Sequence, residues 1–348
     1  MTGLRHLEGE LVTARRGLFW VGDETVSLPQ GRVPRGQMFV QWEAPATVTK
    51  PYPIVLVHGG GGQGTDWLST PDGRPGWATL LLQEGYAVYV VDRPGHGRAP
   101  FHPDVLGVMG SPLSIELVSR LFTGAMGSPG ARADADLHTQ WPGSGDPDDP
   151  YVRHFASGTG PMLADLSTAH AIERERGAAL LDEIGPAILM TASAGGPMGW
   201  LTADARPSLV KAIVSLEPLG PPFRADSEFS LDWGLTAAPM TFDPLAASPD
   251  ELRKTPAETW TLQAEPARKL PELAETPIAI VEAEASLFAD SCAATAAFLE
   301  QAGCRVDRIV LAAHGVRGNG HLMMLERNSR DVLEPILHWL DDTVDREA

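Results

Sequence analysis

The chain has 348 residues, 43 % apolar and 21 % charged, the balance of a globular protein with room for one large α/β domain. Its formal net charge of −18 argues against binding the phosphates of nucleic acid or an anionic membrane surface, and no apolar run approaches the roughly 20 residues that span a bilayer. The two cysteines, Cys292 and Cys304, flank a helix expected at 291–302, whose ends lie roughly 16 Å apart, too far for a disulfide, and neither belongs to a metal-spaced group.

The N-terminal segment, MTGLRHLEGELVTARRG, has no apolar core of signal-peptide length; with reduced thiols this predicts a cytoplasmic protein. Residues 18–42 alternate as strands do. PIVLVHGG at 53–60 is a buried strand running into glycines, 77–85 a helix, YAVYVVD at 86–92 a second buried strand, and DRPGHGR its loop. Helix is expected at 161–184, strand at 186–193, helix at 195–206, and strands at 210–218 and 277–284. A helix at 290–302, a last strand at 305–315 and a helix near 328–341 close the chain. Strand and helix in alternation predict a mostly parallel central sheet with helices on both faces, an α/β fold. Residues 99–160 and 219–270, rich in Gly, Pro, Ser, Asp and Ala, break the alternation and leave the sheet after a strand's C-terminal end, where such sheets bind ligands. They are read as cap insertions on a single domain spanning 1–348, with GSGDPDDP at 143–150 as a mobile tip.

The chemistry starts at AILMTASAGGPMG, residues 187–199, where an apolar run ends in small residues around one hydroxyl, Ser193. A strand, a sharp turn and a helix with serine at the apex make a nucleophile elbow, here T-x-S-x-G rather than G-x-S-x-G. The bland alternative is a serine that caps the helix. A serine needs a base. Of ten histidines, His321 follows the last strand through the glycine-rich HGVRGNGHLMM, a loop that opens at the same sheet edge as Ser193. His314, at the strand end, is the rival and suits a scaffold position better. The carboxylate that orients the imidazole comes after a strand. Glu217 lies at the end of VKAIVSLEP, Glu284 at the end of PIAIVEAE and Asp290 beyond it; by position they compete evenly. Pro218 is expected to hold Glu217 extended. HGGGGQG at 58–64 resembles an HGGG-type loop, whose N–H groups at Gly60 and Gly61, with that of Ala194, suit an oxyanion hole. Neither a phosphate-loop nor a dinucleotide fingerprint is present, and His58 reads as structural.

On these segments the chain resembles the α/β-hydrolase superfamily, and more narrowly an atypical group of bacterial esterases whose triad acid is a glutamate after strand six. RRGLFWVGDETVSL, GQMFVQWEAP, PYPIVLVHGG, TPDGRPGWATLLLQEGYAVYVVDRPGHGR, IVSLEP and HGVRGNGHLMMLERN carry the resemblance. It implies Ser193 as nucleophile, His321 as base, Glu217 as acid, and Gly60 or Gly61 with Ala194 as oxyanion donors. It further implies no metal or organic cofactor, a small ester or lactone substrate, and a homodimer. The chain departs from the group in two places. TASAGG replaces an elbow with histidine before and glutamine after the serine, and Gly61 and Gly62 stand where the group has paired cysteines. The expected reaction is ester hydrolysis through an acyl-enzyme. Lactonase, thioesterase and acyltransferase activities share the triad, and a non-catalytic receptor on the same fold is the alternative outside catalysis. Trp141, Phe155, Phe223, Phe229, Trp233 and Phe242 in the insertions suit an apolar acyl or aryl group, or pack the cap.

Overall fold

A computed structural model of the chain describes residues 12–123, 135–226, 229–257 and 260–344. Residues 1–11, most of the stretch read for a leader, lie outside the described residues.

The strands are β1 (Ala14–Val21), β2 (Thr25–Leu28), β3 (Gly31–Pro34), β4 (Met38–Pro45), β5 (Ile54–Val57), β6 (Val88–Asp92), β7 (Ala187–Ala192), β8 (Val210–Leu216), β9 (Lys254–Ala257), β10 (Trp260–Gln263), β11 (Ile278–Glu282) and β12 (Val306–Val310). The helices are α1 (Trp77–Gln83), α2 (Pro103–Leu106), α3 (Ile115–Val118), α4 (Pro150–Ser157), α5 (Leu166–Ile184), α6 (Gly196–Ala205), α7 (Ala289–Gln301) and α8 (Ser329–Thr343). Eight strands form one sheet in the order β1-β4-β6-β5-β7-β8-β11-β12. β4 runs antiparallel to β1 and β6, and every neighbour from β6 to β12 is parallel. The sheet is mostly parallel, as expected; of the alternating early strands β1 and β4 lie at one edge of it, while β2 and β3 pair with each other as a separate two-stranded sheet.

The central strands read as near-continuous apolar runs because both of their faces are covered. Successive residues point to opposite faces. Val55, Val57, Leu189, Ile213 and Ile280 pack with Leu180 of α5, Trp200 of α6 and Phe298 of α7. Ile54, Leu56, Ile188, Val214 and Val281 pack with Trp77 and Leu81 of α1 and Ile336 and Leu340 of α8. The helix expected from 161 begins at Leu166, because Asp165 caps it by accepting from the Ser167 and Thr168 N–H groups. The strand expected over 305–315 stops at Val310 and turns through a 3₁₀ segment, Leu311–His314.

The insertions carry structure that composition did not announce. GSGDPDDP is tied down: the buried Asp149 accepts from Trp141 Nε1 at 2.9 Å and from the Gly145 N–H at 2.8 Å. In 219–270, Phe223, Trp233, Phe242 and Leu270 join the core beside α7, and β9 pairs antiparallel with β10. Cys292 and Cys304 are free and buried. Among the described residues no helix is long and apolar enough to cross a membrane.

Candidate active site

The residues singled out from the sequence leave the sheet at one edge, the C-terminal ends of its parallel strands. Ser193 follows β7, Glu217 follows β8, and the loop bearing His321 comes after β12. Ser193 has φ 51°, a left-handed angle that side chains avoid. A short 3₁₀ turn, Ser193–Gly195, then leads into α6. The turn demands small neighbours. A Cβ at Gly195 would lie 2.5 Å from the His58 carbonyl oxygen, and one at Gly196 2.8 Å from Pro218 Cβ. Thr191, the oversized elbow residue, fits because Gly199 leaves room for its methyl (a Cβ there would lie 3.0 Å away), while its hydroxyl sits 2.8 Å from Ser215 Oγ.

Glu217 is buried and takes three hydrogen bonds. Oε1 accepts from the Ala283 N–H at 2.9 Å; Oε2 accepts from His321 Nδ1 at 2.6 Å and from the Ser286 hydroxyl. With Nδ1 donating to the carboxylate, Nε2 is left as the basic nitrogen. The extended backbone expected of Glu217 is not found: its φ is 40°. Its N–H donates to Val281 O at 3.0 Å. That bond and the three on its carboxylate hold it where local preference does not. The competing carboxylates lie elsewhere. Glu284 accepts from the Gly318 N–H at 3.0 Å and pairs with Arg317, and Asp290 is exposed. His314 is exposed, whereas His321 is buried.

A cavity of about 510 Å³ adjoins these groups. Ser193, Ala194, Gly60 and Gly61 line it beside Leu113, Met162, Leu219, Phe122 and Phe288. The last two rings flank the His321 imidazole, with centroids 5.5 Å and 4.1 Å from it. Of the six aromatics named from the sequence, Phe229 alone lines the cavity; Trp141, Phe223, Trp233 and Phe242 are buried in the core. Gly60 abuts the elbow, since a Cβ there would stand 3.2 Å from Ala194 Cβ. Gly61 has φ 65°, and its carbonyl accepts from Gly160 N–H at 2.7 Å. Hydrogen bonds hold this loop without cysteines: Gln63 Nε2 donates to Gly158 O at 2.7 Å and Gly64 N–H to Asp92 Oδ1 at 2.5 Å.

Sequence reasoning missed Phe122, Phe288 and Glu326. The buried Glu326 accepts from His138 Nε2 at 2.6 Å, Asn319 Nδ2 at 2.8 Å and the Gly320 N–H at 3.0 Å, fixing the residue before His321. The one sequence signal was a lone acid directly after the apolar LMML. Among the described residues no group of His, Cys, Asp or Glu is placed to hold a metal ion.

Residues 52–238 match the model of the alpha/beta hydrolase fold. A protein from Fungal sp. (strain ATCC 74256), named as a probable secreted lipase, is 38 % identical over 321 residues, covering 89 % of this chain and 87 % of its own. A solved structure described as a novel bacterial esterase superposes with a TM-score of 0.67 at 23 % identity, over 97 % of this chain and 98 % of that one. With the sheet order and the elbow after β7, these likenesses establish that the chain belongs to the alpha/beta-hydrolase fold family.

Proposed function

We propose that this chain hydrolyses carboxylic esters with apolar acyl or aryl groups through an acyl-enzyme on Ser193. The observation that carries the reading is the pairing of two features at one cavity. One is a serine held in a strained turn in its wall. The other is an imidazole that is bonded to a buried carboxylate and flanked by two of its lining rings. The names of the relatives, lipase and esterase, support the same class.

In this reading Ser193 Oγ attacks the ester carbonyl while His321 Nε2 takes its proton, and Glu217 stays ionised to steady the imidazolium. The N–H groups of Gly60 and Ala194, with Gly61 beside them, receive the oxyanion; one such donor contributes roughly 3 kcal/mol. His321 returns the proton to the leaving alcohol, then activates the water that frees the acid. The two insertions serve as caps, since Leu113, Leu117 and Phe122 of the first and Leu219 and Phe229 of the second border the acyl space.

Lactones and thioesters react at the same groups, so a lactone panel beside a p-nitrophenyl ester series defines the leaving group. The expectation of a cytoplasmic location gains no support from the relatives. The fungal protein is named as secreted, and free, buried cysteines fit either compartment.

Ser193→Ala tests the assignment. It is expected to lower kcat on p-nitrophenyl butyrate by about 10⁴-fold or more with an unchanged melting temperature. A folded variant at the wild-type rate overturns the reading.

A further inference from the structure

Behind the cavity wall lies a buried charge that the triad does not use. Arg93, next after β6, pairs with Glu173 of α5 at 2.7 Å, and their side chains are 3 % and 2 % exposed. As an ion pair made for stability it is incomplete. Arg93 Nε and Glu173 Oε2 are buried without a hydrogen-bond partner among the described residues. Two buried charges with unsatisfied atoms stabilise a fold less than an apolar pair of the same shape.

The remaining donors of the guanidinium are aimed at backbone. Nη2 donates to Gly59 O at 2.8 Å and Nη1 to Ala194 O at 3.2 Å. Gly59 O also accepts from His58 Nδ1–H at 2.8 Å, the tautomer being set because His58 Nε2 accepts the Arg93 backbone N–H at 3.0 Å. The Gly59 carbonyl and the Gly60 N–H belong to one peptide plane, and in a trans peptide they point in opposite directions. An oxygen gripped by a cation and an imidazole therefore fixes the N–H pointing away from them. Gly60 lines the cavity, and its N–H has no acceptor among the described residues. The second bond, to Ala194 O, secures the first turn after Ser193. One guanidinium thus ties the loop after β5 to the elbow after β7.

We propose that Arg93 is a positioning residue for the oxyanion hole: it holds the Gly59–Gly60 peptide and the elbow in mutual register and polarises the Gly60 N–H toward the charge that develops on the substrate. The inference rests on the serine-hydrolase reading above.

A double variant, Arg93→Met with Glu173→Met, removes the pair without leaving a lone buried charge. If the pair only supports the fold, stability and activity return together. The positioning role predicts a melting temperature near wild type but a kcat on p-nitrophenyl butyrate lower by about 10- to 100-fold, with KM changed less than about threefold. It also predicts that a trifluoromethyl ketone, which adds to Ser193 and places an oxyanion in the hole, loses affinity by the same factor. The matching methyl ketone, which binds without adding, does not. A folded double variant with wild-type kcat, or with a lowered kcat and undiminished trifluoromethyl ketone affinity, overturns the proposal. Arg93→Lys decides the matter should the double variant not fold. Its compact head keeps the charge but not the fork across two carbonyls, so about a tenfold loss of kcat is expected, and a wild-type kcat overturns the proposal. Labelling of the wild type by a fluorophosphonate separates the two levels: an unlabelled Ser193 removes the serine-hydrolase reading and this inference with it, whereas a labelled enzyme with an unaffected double variant counts against Arg93 alone.

Discussion

Ser193 at φ 51° and Glu217 at φ 40° hold backbone angles that cost roughly 1–3 kcal/mol each, and they persist because neighbours over-determine them. The carbonyl of Ser193 accepts from the Leu219 N–H at 2.9 Å, which ties the turn after β7 to the segment after β8. The Glu217 carboxylate is committed to His321, Ser286 and Ala283, and that of Glu284 to Arg317 and Gly318. An amide at 217 carries no charge to steady an imidazolium and sets a donor against either Nδ1–H or the Ala283 N–H. Glu217→Gln is therefore expected to lower kcat by about 10³- to 10⁴-fold, and Glu284→Gln by less than about tenfold, in matched ester assays. The reverse order reassigns the acid to the loop after β11. Ser193 was legible in the sequence because its small neighbours are local, and His321 because a glycine-rich loop follows the last strand. Glu217, the proposed acid, was not separable from its rivals by position, since its partners lie 66 to 104 residues away in the chain.

Among the elements, the central strands and their helices were legible for one reason. A strand covered on both faces has to be apolar nearly throughout, and the runs in β5, β6, β7 and β11 announce themselves. The insertions were not legible, because their order comes from distant contacts rather than local propensity. Phe122 reaches across to His321, His138 to Glu326, and Gly160 to Gly61. Of the two readings open to the aromatics named from the sequence, packing holds for most, which serve the core, while Phe122 and Phe288, which were not named, flank the imidazole. Arg93 stood in plain view in DRPGHGR, yet the role proposed for it depends on two carbonyls brought to it by β5 and β7.

At the scale of the whole molecule, the net charge is −18, whereas the interior behind the cavity gathers the Arg93–Glu173 pair and buried histidines. Burial, and then the charge of Arg93, lowers His96 and His170 to about 3. In the unfolded chain they titrate near 6.5. A group whose folded value is depressed in this way remains neutral in the fold while the unfolded state takes up protons below 6.5. Its stabilising contribution is complete above that pH and is lost as pH falls toward 3, at up to about 1.4 kcal/mol per pH unit for each histidine. His58 acts in the same direction, and Glu173, raised chiefly by burial, against it. Urea unfolding is expected to show about 2 kcal/mol less stability at pH 5.5 than at pH 7; a flat or rising stability over that interval contradicts the neutral-histidine interior. The central claim, an activated serine at the cavity, is met most directly by mass. Wild-type protein incubated with a fluorophosphonate and analysed intact, then by peptide mapping, is expected to carry one phosphonyl group, on Ser193, which Ser193→Ala does not acquire. An unmodified wild-type protein, or an adduct on another residue, contradicts the account.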